Sequence, residues 1–287
     1  MDPTEVEQVG VVGCGLMGSG IVEVAARAGA RVTFVEGSAD LVDRGRAALE
    51  RSVGKAVERG KLESAAADAL LGRVEGATDL GALAGCDLVI EAATERLEAK
   101  REIFAALGSL ARPGAILASN TSSIPIVELA LASGRPDRVV GMHFFNPPPV
   151  MQLLELTPAI TTSPETLAFV RAYGTDVLGK TCVQARDEAG FIVNRLVVPY
   201  LCAAIQLFDD GAASREDIDA AMALGMNHPM GPLRLADFVG LDTVLQIAEV
   251  LHAEFPEPRY APPPALRRLV AAGFLGRKSG RGFYRYD

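Results

Sequence analysis

The 287-residue chain has no tryptophan and only three histidines, and aromatic residues make up 6% of it. Its core must therefore rest on aliphatic packing, and any histidine chemistry falls to very few positions. Cysteine is scarce too. Cys14, Cys86, Cys182 and Cys202 are scattered, without C-x-x-C or metal-ligand spacing, so they are expected as free buried thiols and no metal site is expected. Positive charge is in deficit: 28 Lys and Arg against 36 Asp and Glu leave a net charge of −8. That balance argues against nucleic acid as the partner but leaves room for a small anion on a local basic cluster. Long apolar runs are missing as well. The longest, residues 192–208, is broken by Asn194, Arg195, Pro199 and Gln206 and reads as a buried helix, not a membrane span. No basic stretch followed by an apolar run opens the chain, so no secretory leader is expected, and the cytoplasm remains by elimination.

What is present suits a soluble two-domain enzyme, with 49% hydrophobic and 22% charged residues. The first half alternates β-branched runs (8–12, 31–36, 87–92, 115–119 and 138–144) with helix-length segments, the pattern of βαβ units. Ile21, Val24, Ala25 and Ala28 recur at helical spacing on the first such segment. Residues 38–72 form a long helix-prone excursion carrying Arg44, Arg46, Arg51, Lys55, Arg59 and Lys61, which reads as a solvated helical hairpin. Beyond residues 180–186 strand signals stop. Helices are expected over 189–210, over 214–224 behind a capping box at Ser214 and Asp217, and over 232–238. Another, capped by Asp242, leads to a proline-rich link (256–264) and a last short helix. The fold class is thus α/β: a Rossmann-type, mostly parallel sheet domain (1–186) and a smaller all-helical domain (187–287), the latter a candidate homodimer surface.

The stretch Val9-Gly-Val-Val-Gly13-Cys-Gly15-Leu16-Met17-Gly18 contains G-x-G-x-x-G between a predicted strand and helix. Its glycines permit a tight turn, close approach of backbone to a pyrophosphate, and close packing of helix on strand. The pyrophosphate then meets free N–H groups at the positive end of the helix. Glu36 ends the next strand, where its carboxylate would accept hydrogen bonds from ribose hydroxyls and repel a 2′-phosphate. Residues 37–40 offer no arginine to reverse that preference, so NAD is the cofactor expected, and no second flavin motif accompanies the loop.

The chemistry is suggested by Gly141-Met-His143-Phe-Phe-Asn146-Pro-Pro-Pro-Val-Met-Gln-Leu-Leu-Glu155. It places a histidine at the end of one apolar run and a carboxylate on the next. Glu155 can hydrogen-bond one ring nitrogen of His143, which fixes the tautomer and steadies the ring once it holds a proton, as a general base requires. The segment 120–123 (Asn-Thr-Ser-Ser) follows a strand at the ligand-binding edge of such a sheet. Asn194 opens the helical domain, where a buried amide needs a partner.

Together these motifs resemble the L-3-hydroxyacyl-CoA dehydrogenase family, in particular its short bacterial 3-hydroxybutyryl-CoA members. The similarity runs the length of the chain. Beyond the glycine loop, it includes Ser119-Asn-Thr-Ser-Ser123, Met142-His-Phe-Phe-Asn-Pro147, Gly190-Phe-Ile-Val-Asn-Arg195, Pro229-Met-Gly-Pro232 and Leu275-Gly-Arg-Lys-Ser-Gly-Arg-Gly-Phe-Tyr284. The resemblance implies that His143, oriented by Glu155, takes the proton of a 3-hydroxyl while hydride leaves C3 for the nicotinamide. Ser122 and Asn194 would hold the substrate oxygen. On the cofactor side it implies Gly13, Gly15, Leu16, Met17, Gly18, Glu36, Ala92, Glu95, Lys100 and Asn120. On the substrate side it implies Asn146, with Ser52, Lys55 and Arg59 at the CoA moiety. Lys278 is either a lid over the cofactor or a residue of a surface turn.

A close variant would act on a carrier-protein-bound or free 3-hydroxy acid with the same chemistry. The β-hydroxyacid dehydrogenase type relies on a lysine in its helical domain, and residues 187–270 contain none. A protein that binds NAD without turnover is the non-enzymatic alternative. Butanoate metabolism, fatty-acid oxidation and aromatic degradation all use the step, and the resemblance does not choose among them.

Overall fold

The structure, a computed structural model, describes residues 2–286. The chain forms two compact units that divide after Glu188. The first begins β1 (Gln8–Val12), α1 (Leu16–Arg27), β2 (Arg31–Val35), α2 (Ala39–Glu58), α3 (Ser64–Leu71) and β3 (Val74–Ala77). It continues β4 (Leu88–Glu91), α4 (Leu97–Leu110), β5 (Ile116–Ser119), α5 (Ile126–Ala132), β6 (Val139–Phe144), β7 (Leu153–Pro158), α6 (Pro164–Ala172) and β8 (Thr181–Gln184). Eight strands form one sheet in the order β3-β2-β1-β4-β5-β6-β7-β8. Every neighbouring pair is parallel except β6 and β7.

The Rossmann-type expectation is thus met, and the chemistry of the strands explains why. β4, β5 and β6 are buried at every residue, as strands covered on both faces must be, and so they read as continuous apolar runs. Val9, Val11, Phe34, Leu88, Ile90, Ile116 and Met142 pack into one core. Each such side chain contributes roughly 1.5–3 kcal/mol by leaving water. The excursion 38–72 is a helical pair, α2 and α3, as read. Two details differ from expectation. Ala28 is exposed at the end of α1, whereas Ile21, Val24 and Ala25 are buried. The edge strand β3 carries no strand signal, because Val-Glu-Gly-Ala holds a single β-branched residue and pairs on one side only.

The second unit is helical: α7 (Val193–Asp209), α8 (Arg215–Gly225), α9 (Pro232–Val239), α10 (Leu241–Glu254) and α11 (Pro264–Ala271). Its own core gathers Val198, Leu201, Ile205, Leu233, Val244 and Leu251. Ser214 caps α8 as expected, with Oγ accepting from the Asp217 N–H at 3.1 Å. Asp242 does not cap α10. Gly240 does, in a left-handed conformation (φ 102°), and Asp242 lies in the first turn.

Two buried aspartates tie this unit together. Asp219 accepts the Leu233 and Arg234 N–H groups at the start of α9, and the Tyr284 hydroxyl. Asp237 accepts the Phe283 and Tyr284 N–H groups and the Tyr286 hydroxyl. No helix of the described residues is long and apolar enough to cross a membrane.

Candidate active site

His143, near the end of β6, stands directly opposite Glu155 of β7. The antiparallel turn of β7 in an otherwise parallel sheet produces this register, and opposed residues carry their side chains on one face. The ring Nδ1 lies 2.7 Å from Glu155 Oε2. His143 is 7% exposed and Glu155 fully buried, so water does not compete for the pair. Phe145 packs beside the imidazole, with ring centroids 4.6 Å apart.

Asn120 and Ser122 follow β5. Asn120 Oδ1 accepts the Phe144 N–H at 2.8 Å, which ties this turn to the strand bearing His143. Ser122 is held by Glu95: Oε1 accepts the Ser122 N–H at 2.9 Å and its hydroxyl at 3.3 Å, along with the Thr121 and Ser123 hydroxyls. Burial pushes the Glu95 carboxyl up. The Lys100 ammonium and the hydrogen bonds from Thr121, Ser122 and Ser123 outweigh it and hold the group below its ordinary range. Lys100 is itself buried and bonds both oxygens of Glu91, at 2.6 and 2.7 Å.

The glycine loop divides its work as its spacing requires. Gly13 has φ +88°, and a Cβ there would meet the Ala92 carbonyl at 2.8 Å. A Cβ on Gly18 would lie 1.9 Å from the Gly13 carbonyl oxygen, so α1 packs on the loop only through glycine. Gly15, which caps α1 without a side-chain bond, faces open space: nothing lies within 4 Å of a Cβ built there. That is the room a pyrophosphate needs above a helix N-terminus. Glu36 lines the same cleft, and its Oε1 accepts the Cys14 N–H at 2.6 Å. Leu16 is exposed at the cleft, Met17 is half-buried against the core, and Ala92 closes β4 by donating to the Val12 carbonyl. These residues fit an NAD adenosine and pyrophosphate.

The cleft, about 490 Å³, runs along α2 past Arg44, Arg51, Ser52 and Lys55, and Asn146 forms part of its far wall. A second cleft of about 490 Å³ shares Ser52 and Lys55 and adds Arg27, Arg59 and Lys61. Ser52 Oγ donates to the buried Glu23 at 2.6 Å, and Arg27 pairs with the same carboxylate at 2.7 Å. The structure therefore places Ser52, Lys55 and Arg59 on one basic face. Asn194 lies half-buried in the first turn of α7, in the second unit. In that unit Lys278 pairs with Asp242 at 2.6 Å.

Sequence reasoning missed Arg27 and Glu23, hidden within the apolar pattern of α1, and Glu91. Glu91 ends an apolar strand as Glu36 nearly does, which is the signal that would have found it. It also missed Lys180, whose buried ammonium bonds the Pro148 and Met151 carbonyls and so steadies the proline loop between the clefts. The four cysteines are free, and no cluster of metal-ligating side chains occurs among the described residues.

A Rossmann sheet with this loop, beside a buried histidine–carboxylate pair, defines the class of nicotinamide-dependent dehydrogenases. More narrowly, the chain belongs to the 3-hydroxyacyl-CoA dehydrogenase family: residues 8–188 match its NAD binding domain and residues 190–286 its C-terminal domain. It is 50% identical to a 3-hydroxybutyryl-CoA dehydrogenase of Mycobacterium tuberculosis, over 98% of this chain and 99% of the relative. The crystal structure of M. tuberculosis FadB2 superposes with a TM-score of 0.97 at 49% identity, over 98% of this chain and 99% of that one. That of (S)-3-hydroxybutyryl-CoA dehydrogenase PaaH1 from Ralstonia eutropha gives 0.93 at 44%, over 99% and 100%.

Proposed function

We propose that this chain interconverts (S)-3-hydroxyacyl-CoA and 3-oxoacyl-CoA with NAD, favouring short chains such as 3-hydroxybutyryl-CoA. The observation that carries the reading is the His143–Glu155 pair, buried and 2.7 Å apart on adjacent strands. The names of the M. tuberculosis and Ralstonia relatives support the substrate.

The glycine loop and Glu36 would hold NAD, which when bound would supply the acceptor for the substrate's C3 hydride in oxidation and its donor in reduction. Glu155 holds Nδ1 and thereby assigns proton transfer to Nε2 of His143, which takes the 3-hydroxyl proton during oxidation and returns it during reduction. The Glu155 carboxylate stabilises the imidazolium between those events. Ser122 turns its hydroxyl from a long bond with Glu95 towards the substrate oxygen, and the family resemblance gives the Asn194 amide the same task. Glu36 selects NAD over NADP. Ser52, Lys55 and Arg59 offer the basic face that CoA phosphates need, which favours a CoA thioester over a free hydroxy acid.

The test is NADH oxidation with acetoacetyl-CoA, run beside NADPH and beside His143→Ala. Turnover with NADH is expected, falling about 10²- to 10⁴-fold in the variant. An active His143→Ala protein, or no turnover of the thioester, sinks the reading.

We further place the enzyme in the cytoplasm as a homodimer formed through its second unit, where Leu196, Leu224 and Met226 stand exposed. A monomer by light scattering at micromolar concentration would remove that assignment.

A further inference from the structure

The glycine loop follows β1 and Glu36 follows β2, so the adenosine half of a dinucleotide belongs over that side of the sheet. The nicotinamide half then belongs over β4 and β5, beyond the point where strand order reverses. The carboxyl ends of those two strands hold a charged cluster. Glu91, the last residue of β4, is completely buried. Its Oε1 accepts the Lys100 ammonium at 2.6 Å and the Ala93 N–H at 2.8 Å. Its Oε2 accepts the same ammonium at 2.7 Å and the Ser119 hydroxyl at 2.6 Å. The Lys100 ammonium also lies 3.5 Å from Glu95 Oε2. Glu95 forms the open side of the cluster, with 27% of its side chain exposed.

Two carboxylates thus share one ammonium, and no other cationic side chain among the described residues bonds either acid. The cluster keeps one net negative charge. Pinning the 119–123 turn does not require that charge, because neutral acceptors could take the same hydroxyl and N–H donors. An uncompensated charge in a mostly buried setting is unfavourable unless something cationic answers it. The two forms of the cofactor differ in this respect: the oxidised nicotinamide ring is a cation and the reduced ring is neutral.

We propose that the Glu91–Lys100–Glu95 cluster sets the relative affinity for the two redox forms of the cofactor, its net negative charge favouring NAD⁺ over NADH. The proposal rests on the reading that the chain binds NAD. Glu91 acts here as a positioning residue with a charge: it touches neither substrate nor cofactor, but it holds Lys100 and contributes to the field at the nicotinamide side. In the oxidative direction, the cluster would hold the incoming cofactor and loosen the reduced one.

Binding decides the matter without turnover. Dissociation constants for NAD⁺ and NADH are measured by titration calorimetry on the native protein and on Glu91→Gln and Glu95→Gln. Each variant keeps the side-chain size and an acceptor oxygen while removing one negative charge. The ratio of the NADH constant to the NAD⁺ constant is expected to fall about 5- to 10-fold in each, the scale of a unit charge acting through partly screened protein. If Glu91→Gln does not fold, Glu95→Gln on the open side reads the same change. Loss of a merely structural support weakens both forms alike, so an unchanged ratio in the folded variants overturns the proposal. Normal NADH oxidation by the native protein would then leave the proposed function standing. Native protein that bound neither form would overturn both.

Discussion

The two halves of the first unit's binding edge are built on opposite plans. On the β1–β2 side, apart from Glu36 and the Arg27–Glu23 pair, the groups facing the clefts are backbone and cations without acidic partners. Gly15 faces open space, and Arg44, Arg51 and Lys55 of α2, with Arg59 at its C-terminal cap, line the clefts without an ion pair among the described residues. On the β4–β7 side nearly every polar group is already engaged inside the protein: Glu91 with Lys100, Glu95 with the 121–123 turn, Asn120 with β6, Glu155 with His143. On the proposed function, the first half is a receptacle for phosphate, whose charge supplies the missing partner. The second is preorganised, so that, the Ser122 hydroxyl apart, its groups need not rearrange when charge moves in the proposed reaction. The difference separates holding from reacting.

The largest expected effect comes from breaking the preorganised half without touching the receptacle. Glu155→Gln keeps the shape and removes the charge opposite His143. With acetoacetyl-CoA and NADH, kcat should fall about 100-fold, the lower part of what a positioned base contributes, while the Kd for NADH stays unchanged. An equal rise in the NADH Kd would show that the two halves are not separable in this way.

A smaller effect sharpens the comparison inside the receptacle itself. Gly18→Ala pushes a methyl group against the Gly13 carbonyl, so it should lose about 1–3 kcal/mol of stability as well as cofactor affinity. Gly15→Ala meets nothing in the protein and should melt like the native chain, yet bind NADH more weakly because the methyl group occupies the space above the helix end. Thermal melts and NADH titrations of the two variants, side by side, check both statements. A Gly15→Ala protein with native affinity would mean that the pyrophosphate does not approach there.

This contrast also explains what could be read from the sequence. The receptacle was legible because its parts are local: three glycines in one turn, an acid ending the next strand, cations at helical spacing on α2. The His143–Glu155 pair was legible because two apolar runs with a short connection suggest adjacent strands. Glu23 and Lys180 were not, since each is a buried charge with a partner far along the chain, at Ser52 and Pro148. Nothing local distinguishes such a residue from a surface charge until the fold brings the partner to it. β3 escaped for a different reason. An edge strand needs only backbone pairing on one side, and four residues with one β-branched side chain hardly depart from a loop.

The way Asp237 is satisfied has a consequence for biosynthesis. Its carboxylate, in the middle of the second unit, waits for the N–H groups of Phe283 and Tyr284 and the hydroxyl of Tyr286. The sheet of the first unit draws only on residues that leave the ribosome early, and it can assemble while translation continues. The helical unit cannot complete its interior until residues 283–286 have emerged. Until they do, Asp237 lacks the donors that satisfy it, so this unit closes later in synthesis than the sheet does.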